Sequence, residues 1–136
     1  MLGVGEIISR LLLVTVLAGL LGLEREFKDK PAGFRTNVMV GLGSALTMIV
    51  SLMFEIDSAR IAAGVITGIG FIGGGLIIHG KSEVHGITTA ATIWVVSAIG
   101  LAVGAGYFLP AGVVTAIALF VLYFFSDDRM HKIFGV

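Results

Sequence analysis

The charged side chains of this sequence lie between its apolar segments and hardly ever within them. Acidic side chains inside a membrane are typical of proton relays and cation pathways. All nine acidic residues fall outside the apolar segments: Glu6, Glu24, Glu26, Asp29, Glu55, Asp57, Glu83, Asp127 and Asp128. Arg10, the one charge within a segment, lies a turn from its end, and we expect it to reach the outer headgroups. This distribution disfavours a cation transporter built on carboxylates.

Metal-ligating side chains gather in one place, where His79, Glu83 and His85 lie close together in the sequence. Zinc sites normally need three or four converging ligands, and only one carboxylate accompanies these histidines. Imidazoles near a membrane surface can also respond to pH. A plain polar loop is the favoured interpretation, so we predict no metal site and no cofactor. A divalent-ion site and a pH response are the alternatives.

Glycine, at 20 of 136 residues, provides the strongest spacing pattern. Residues 68–75 read GIGFIGGG and contain G-x-G-x-x-G, but that dinucleotide fingerprint needs a strand-to-helix turn, and this run is part of an apolar stretch. Glycines four residues apart instead let membrane helices approach closely. We therefore predict helix packing at Gly64, Gly68, Gly70, Gly73, Gly74, Gly100 and Gly104. An unwound, ion-facing segment at residues 73–75 is the alternative.

Three hydroxyls, Thr88, Thr89 and Thr92, open the fourth apolar segment ahead of Trp94. Thr88 and Thr92 share a helical face. In a membrane such hydroxyls most often bond the carbonyl four residues earlier or a neighbouring helix. Trp94 falls in mid-segment, and we expect it to pack against the glycine-rich third segment.

The first connection, residues 24–35, mixes both charges around Pro31. Its simplest interpretation is a solvated loop. Glu24 ends one apolar segment and Arg35 precedes the next, so we expect the two to pair across the turn. Contact with a partner protein is the alternative, and the two readings are compatible.

The elements that position these residues are apolar segments of membrane-spanning length. The composition is 57% hydrophobic and 13% charged with a mean hydropathy of +1.05, which excludes an ordinary soluble domain. We predict an all-α, polytopic transmembrane helix bundle forming a single domain, with the lipid bilayer as its surroundings. Its spans are residues 7–23, 36–54, 61–78, 87–103 and 108–125, each close to the roughly 17 to 25 residues that cross the hydrocarbon. Because of the glycines and Pro110 near their junction, a re-entrant pair is the alternative for the last two.

The basic residues predict the orientation of the bundle, because short cytoplasmic loops collect Lys and Arg. Seven lie on one side: Arg25, Lys28, Lys30, Arg35, Lys81, Arg129 and Lys132. Only Arg10 and Arg60 lie opposite. The N-terminus is therefore predicted outside and the C-terminus in the cytoplasm. Zero net charge predicts no nucleic-acid partner, and the sequence contains no cysteine for a disulfide or thiolate site.

Five motifs occur in order: GLERE at 22–26, KPAGFRT at 30–36, RIAA at 60–63, GIGFIG at 68–73 and GITTAATIW at 86–94. Together they resemble the MgtC/SapB family. The resemblance implies a prokaryotic cytoplasmic-membrane protein whose best-known relatives are linked to magnesium limitation and virulence. It also implies action by restraining the rotary ATP synthase, without magnesium transport. We expect a short form lacking the soluble C-terminal domain of longer members. This sequence has His85 at a position where family members commonly have Lys or Arg.

Matching these motifs gives candidates for partner contact or function at Glu24, Arg25, Glu26, Arg35, Thr36, Arg60, Thr88, Thr89 and Trp94. The favoured function is a non-enzymatic membrane regulator that binds another membrane protein, with self-association left open. The alternative is a small magnesium transporter or channel that uses backbone carbonyls of residues 73–75. We predict no catalytic residues, because no acid, base or nucleophile cluster lies at membrane depth.

Overall fold

The computed structural model describes residues 2–54, 57–79 and 84–125. Most of them form five helices: α1 (Val4–Phe27), α2 (Phe34–Met53), α3 (Ser58–Gly75), α4 (Ile87–Ala105) and α5 (Phe108–Phe124). An antiparallel pair of two-residue strands, β1 (Ile78–His79) and β2 (Val84–His85), connects α3 to α4. Each predicted apolar segment corresponds to one helix, with ends that differ by up to four residues, so the all-helical fold class is confirmed.

Four of these helices, α1 to α4, are long and apolar enough to cross a membrane, and α5 is shorter at 17 residues. α1 has 24 residues. At about 1.5 Å per residue it is about 36 Å long, more than the roughly 30 Å of hydrocarbon. This excess leaves room for the charged residues of its last turn.

The glycine-rich stretches do not break the helices that contain them. α3 is helical through Gly75, so residues 73–75 are its last turn, and it ends three residues before the predicted boundary at residue 78. Gly100 and Gly104 lie within a continuous α4, which ends at Gly106. Gly106 has a φ of 90°, a left-handed conformation that glycine adopts without a steric penalty. α4 and α5 are therefore two continuous helices.

Helices α1, α2 and α4 form the packed centre. α2 and α4 run parallel, with Gly41 beside Val96 and Ala45 beside Gly104, while α1 runs antiparallel and places Ala18 against Gly41. α5 packs on α1 and α4. The buried core consists of Val14, Ala18, Leu21, Ala45, Val96, Ile99, Val103 and Ala111.

Helix α3 lies at the side of this centre. Only 11% of its spanning window is buried, against 56% for α4. Ile69 and Gly73 are the buried residues of α3, and a Cβ at Gly73 would lie 3.6 Å from that of Ala90. α3 therefore meets α4 near its C-terminal end and leaves most of its surface uncovered by the described part of the chain.

Candidate functional site

The last turn of α1 holds a compact charge cluster. Arg25 is buried, and its Nε donates to Glu24 Oε2 at 2.5 Å. Lys28 Nζ lies 2.8 Å from the other oxygen of Glu24 and donates to the Leu122 carbonyl of α5 at 2.7 Å. The predicted pair of Glu24 and Arg35 is therefore wrong. Arg25 and Lys28, one and four positions after Glu24, reach it first, and Lys28 also ties the end of α1 to α5.

The carboxylate that does bridge the turn between α1 and α2 belongs to Glu26. Its Oε2 accepts the backbone N–H of Phe34 at 2.7 Å, at the start of α2. Helix N-termini carry unpaired N–H groups and a partial positive charge, so a carboxylate is favourable there. The N-cap residue of α2 is Gly33, which has no side chain, so Glu26 provides the capping hydrogen bond instead.

Asn37, which the sequence analysis missed, holds the other side of this turn. It is fully buried, and its Nδ2 donates to the carbonyls of Ala32 at 2.6 Å and Gly33 at 2.9 Å. Ala32 has a φ of 57°, a left-handed conformation that is unfavourable for a residue with a Cβ. The sequence does contain a signal for this role. Asn37 is an amide in the first turn of a mostly apolar helix, and it follows the Pro-Ala-Gly turn at 31–33.

Arg35 and Thr36 are exposed at the start of α2. They lie where two cavities meet. A polar cavity of about 370 Å³ is also lined by Glu26, Asp29 and Lys30. An apolar groove of about 690 Å³ continues from it between α2 and α3. These two predicted residues therefore connect a charged surface to an apolar one.

The threonine run lies at the same end of the bundle, because α4 is parallel to α2. Thr89 is buried and Thr88 is exposed. Thr92 Oγ1 donates to the Thr88 carbonyl at 2.8 Å, which is the predicted bond within the helix. Trp94, one turn after Ala90 on the same face, stays 49% exposed.

Arg60 is the candidate that lies apart from the others, at the opposite end of the bundle. Its guanidinium is 3.9 Å from the carboxylate of Asp57, and both side chains are mostly exposed. Asp57 caps α3 by accepting the N–H groups of Ala59 and Arg60. The structure gives Arg60 no contact with the cluster around Glu24.

The direction of the Arg10 side chain differs from the predicted one, which was towards the outer headgroups. Its side chain turns into the bundle, where it is 8% exposed, pairs with Glu6 and donates from Nη1 to the Gly104 carbonyl at 2.5 Å. Its guanidinium also lies 5.8 Å from the ring centre of Phe108. The C-terminal carbonyls of α4 attract a cation, which explains why Arg10 faces inward.

The predicted packing glycines divide into two groups. A Cβ at Gly100 would lie 2.5 Å from the Gly41 carbonyl oxygen, and one at Gly104 would lie 2.5 Å from that of Ala45. On α3, only Gly73 meets a neighbour. A Cβ at the others would meet no atom of the described chain within 4 Å: Gly64, Gly68, Gly70 and Gly74. Packing at these four stays a prediction that only a contact from outside the described residues can satisfy.

The connection between α3 and α4 is described only in part. His85 is exposed on β2, whereas Lys81 and Glu83 lie outside the described residues, as do Arg129 and Lys132 of the tail. Among the described residues, no three of His, Cys, Asp or Glu come together as metal ligands would. The alternatives raised for this loop are therefore not tested by the structure.

The long apolar helices define a helical membrane protein. The MgtC family model matches residues 11–131, so the chain belongs to the MgtC family. It is 41% identical over 140 residues to the "Putative magnesium transporter YhiD" of Escherichia coli K12, covering 93% of this chain and 65% of that protein. It is also 41% identical over 108 residues to the "Protein MgtC" of Brucella abortus strain 2308, covering 78% of this chain and 45% of that protein.

An uncharacterized protein of Haemophilus influenzae is 40% identical over 125 residues, covering 83% of this chain and 52% of that protein. The chain thus spans between 45% and 65% of the length of these three relatives. No solved structure matches it.

Proposed function

We propose that this chain is a non-enzymatic, multi-pass protein of a prokaryotic cytoplasmic membrane, and that it acts in adaptation to magnesium limitation by binding another membrane protein through α3. Its N-terminus lies outside and its C-terminus in the cytoplasm. The proposal rests on one observation, the uncovered glycines of α3.

The uncovered glycines form two stripes along α3. At 100° per residue, Gly70 and Gly74 share a face with Ala63 and Thr67, and all four are exposed. Gly64, Gly68 and Gly75 form a second exposed stripe on the adjoining face. Both stripes offer a surface on which a second helix can approach closely.

The occurrence of glycine at these helical positions requires an explanation, because it destabilises a helix interior by roughly 0.5 to 1 kcal/mol relative to alanine. Lipid chains impose no such requirement. Within the described chain no helix covers the stripes. A partner helix would make use of them, and the rotary ATP synthase is the first partner to test, as the family resemblance implies.

The test places a photoreactive amino acid at Thr67, in the middle of the first stripe, and irradiates cells grown with little magnesium. We expect an adduct with a different membrane protein, which is lost in Gly70→Leu because leucine blocks close approach. Gly112→Leu on α5 is the matched control, since a Cβ there also meets nothing within 4 Å.

Two outcomes would overturn the proposal. One is an adduct only with a second copy of the chain, which would indicate self-association. The other is the absence of any adduct, together with unchanged ATP level and membrane potential when the gene is deleted.

A magnesium transporter is the second candidate, because the Escherichia coli relative carries that name. The backbone-carbonyl version of this mechanism has little support. The carbonyls of Gly73 and Gly74 accept the N–H groups of Leu76 and Ile77, at 3.1 and 3.2 Å. Magnesium uptake by proteoliposomes of the purified chain, abolished in Gly74→Leu, would nevertheless reverse our preference.

A further inference from the structure

The groove between α2 and α3 has the dimensions of a site for one lipid chain. Its α2 wall runs from Arg35 and Thr36 to Thr47, and its α3 wall from Ile72 to Val65. The twelve helical residues from Thr36 to Thr47 rise about 17 Å, close to half of the roughly 30 Å hydrocarbon core. The groove therefore runs from a membrane surface to about the middle of the bilayer. Its volume of about 690 Å³ is in the usual range for ligand sites.

Beyond Thr36 at the mouth, the hydroxyls in the groove wall are already bonded within the protein. Thr47 Oγ1 donates to the Gly43 carbonyl at 2.7 Å. Ser44 and Ser97 share a hydrogen bond of 3.1 Å between α2 and α4. Apart from Arg35 and Thr36 at the mouth, the remaining lining is apolar, and includes Met39 and Val65. Such a wall suits a hydrocarbon chain and offers little to a polar solute.

The polar cavity at the mouth carries both signs of charge. Asp29 and Arg35 both line it, and within the described part of the chain neither side chain makes a hydrogen bond or an ion pair. Glu26 adds a second carboxylate, one oxygen of which is occupied by Phe34 N–H. The mouth therefore offers the cations Arg35 and Lys30 for a phosphate and the carboxylates Asp29 and Glu26 for an ammonium group.

We propose that this continuous cleft binds one aminophospholipid, with an acyl chain in the groove, the phosphate at Arg35 and the ammonium group at Asp29 and Glu26. A headgroup of both charges matches a mouth of both charges, and charge-assisted hydrogen bonds are the stronger ones. A purely anionic headgroup would pair with Arg35 and Lys30 but would bring no cation to the carboxylates of Asp29 and Glu26. The site goes beyond the proposed partner contact and does not depend on it.

The test is native mass spectrometry of the purified full chain in mild detergent, with phosphatidylethanolamine or phosphatidylglycerol of identical acyl chains. We expect phosphatidylethanolamine to bind at least about tenfold more tightly, the ratio that one well-placed charged contact supplies. Asp29→Asn is expected to remove this preference. Arg35→Gln is expected to weaken both lipids, because both carry the phosphate.

The groove is tested with Gly43→Leu. Gly43 lines the groove and a Cβ there meets nothing within 4 Å, so a leucine side chain at this position begins in open space and extends into the groove. We expect lipid binding to be lost there and kept in Gly70→Leu, which faces away from the groove. Equal binding of the two lipids would overturn the proposal, as would full binding by Gly43→Leu. If Gly43→Leu does not fold, the exposed variant Asp29→Asn still decides the headgroup assignment.

Discussion

Helices α3 and α4 are both rich in glycine, yet they use it differently. On α4, Gly100 and Gly104 lie against the backbone of α2, and more than half of the helix is buried. On α3, five glycines have no atom of the described chain within 4 Å of a Cβ position, and about a tenth of the helix is buried. Glycine spacing alone does not tell a helix whose glycines are covered by another described helix from one whose glycines are not.

The largest expected difference is between two variants that each add one methyl group, one on α4 and one on α3. In Gly104→Ala the new Cβ would lie 2.5 Å from the Ala45 carbonyl and 2.9 Å from Met48 Cβ, so α2 and α4 must separate. We expect a loss of about 1 to 3 kcal/mol in the free energy of unfolding. The measurement is unfolding in mild detergent by added dodecyl sulfate.

Gly68→Ala on α3 is the matched change for Gly104→Ala. It has open space, and alanine favours the helix, so we expect a gain of roughly 0.5 to 1 kcal/mol. Equal losses in the two variants would show that α3 is covered as closely as α4.

The next contrast concerns the two arginines of the predicted outer side. Arg10→Ala removes a charged hydrogen bond to the Gly104 carbonyl in a buried setting, and we expect a loss of about 1.5 to 3 kcal/mol by the same unfolding measurement. Glu6 is about half exposed, so no fully buried charge is left behind.

Arg60→Ala should change the unfolding free energy by less than about 0.5 kcal/mol, because its pair with Asp57 is exposed and long. A large loss there would mean that Arg60 makes contacts beyond those described.

The smallest expected effect is that of single hydroxyls. A double-mutant cycle of Ser44→Ala and Ser97→Ala should give a coupling of about 0.6 kcal/mol, as is usual for hydrogen bonds between membrane helices. Thr67→Ala on α3 should be almost neutral for unfolding, since its hydroxyl bonds only the Ala63 carbonyl of its own helix. A coupling of zero for the serines would indicate that packing alone joins α2 to α4.

The helices themselves were predictable, because apolar runs of spanning length leave few other folds. The direction of Arg10 was not, because its position near a segment end is equally compatible with the headgroups and with the carbonyls at the end of α4. The predicted partner of Glu24 was wrong for a related reason. Sequence order suggested Arg35, whereas the helix places Arg25 and Lys28 within reach and Ala32 turns the chain through a left-handed conformation.

At the candidate site, the motif residues around the first turn were predicted and the residues that hold it were not. Glu26 was chosen for its place in a motif, and its role in capping α2 depends on a turn that only coordinates reveal. Asn37 was not chosen at all. The sequence does not show which carbonyl a polar residue inside an apolar run will bind.

The parallel packing of α2 and α4 also bears on how the chain is made. These two helices are separated in the sequence by all of α3, and a chain is synthesised from its N-terminus. The face of α2 that meets α4, which carries Ser44, Ala45 and Met48, thus stays open until α4 has entered the membrane. A nascent chain arrested after α3 is therefore expected to expose this face to chaperones and proteases, whereas one extended past Gly106 is not.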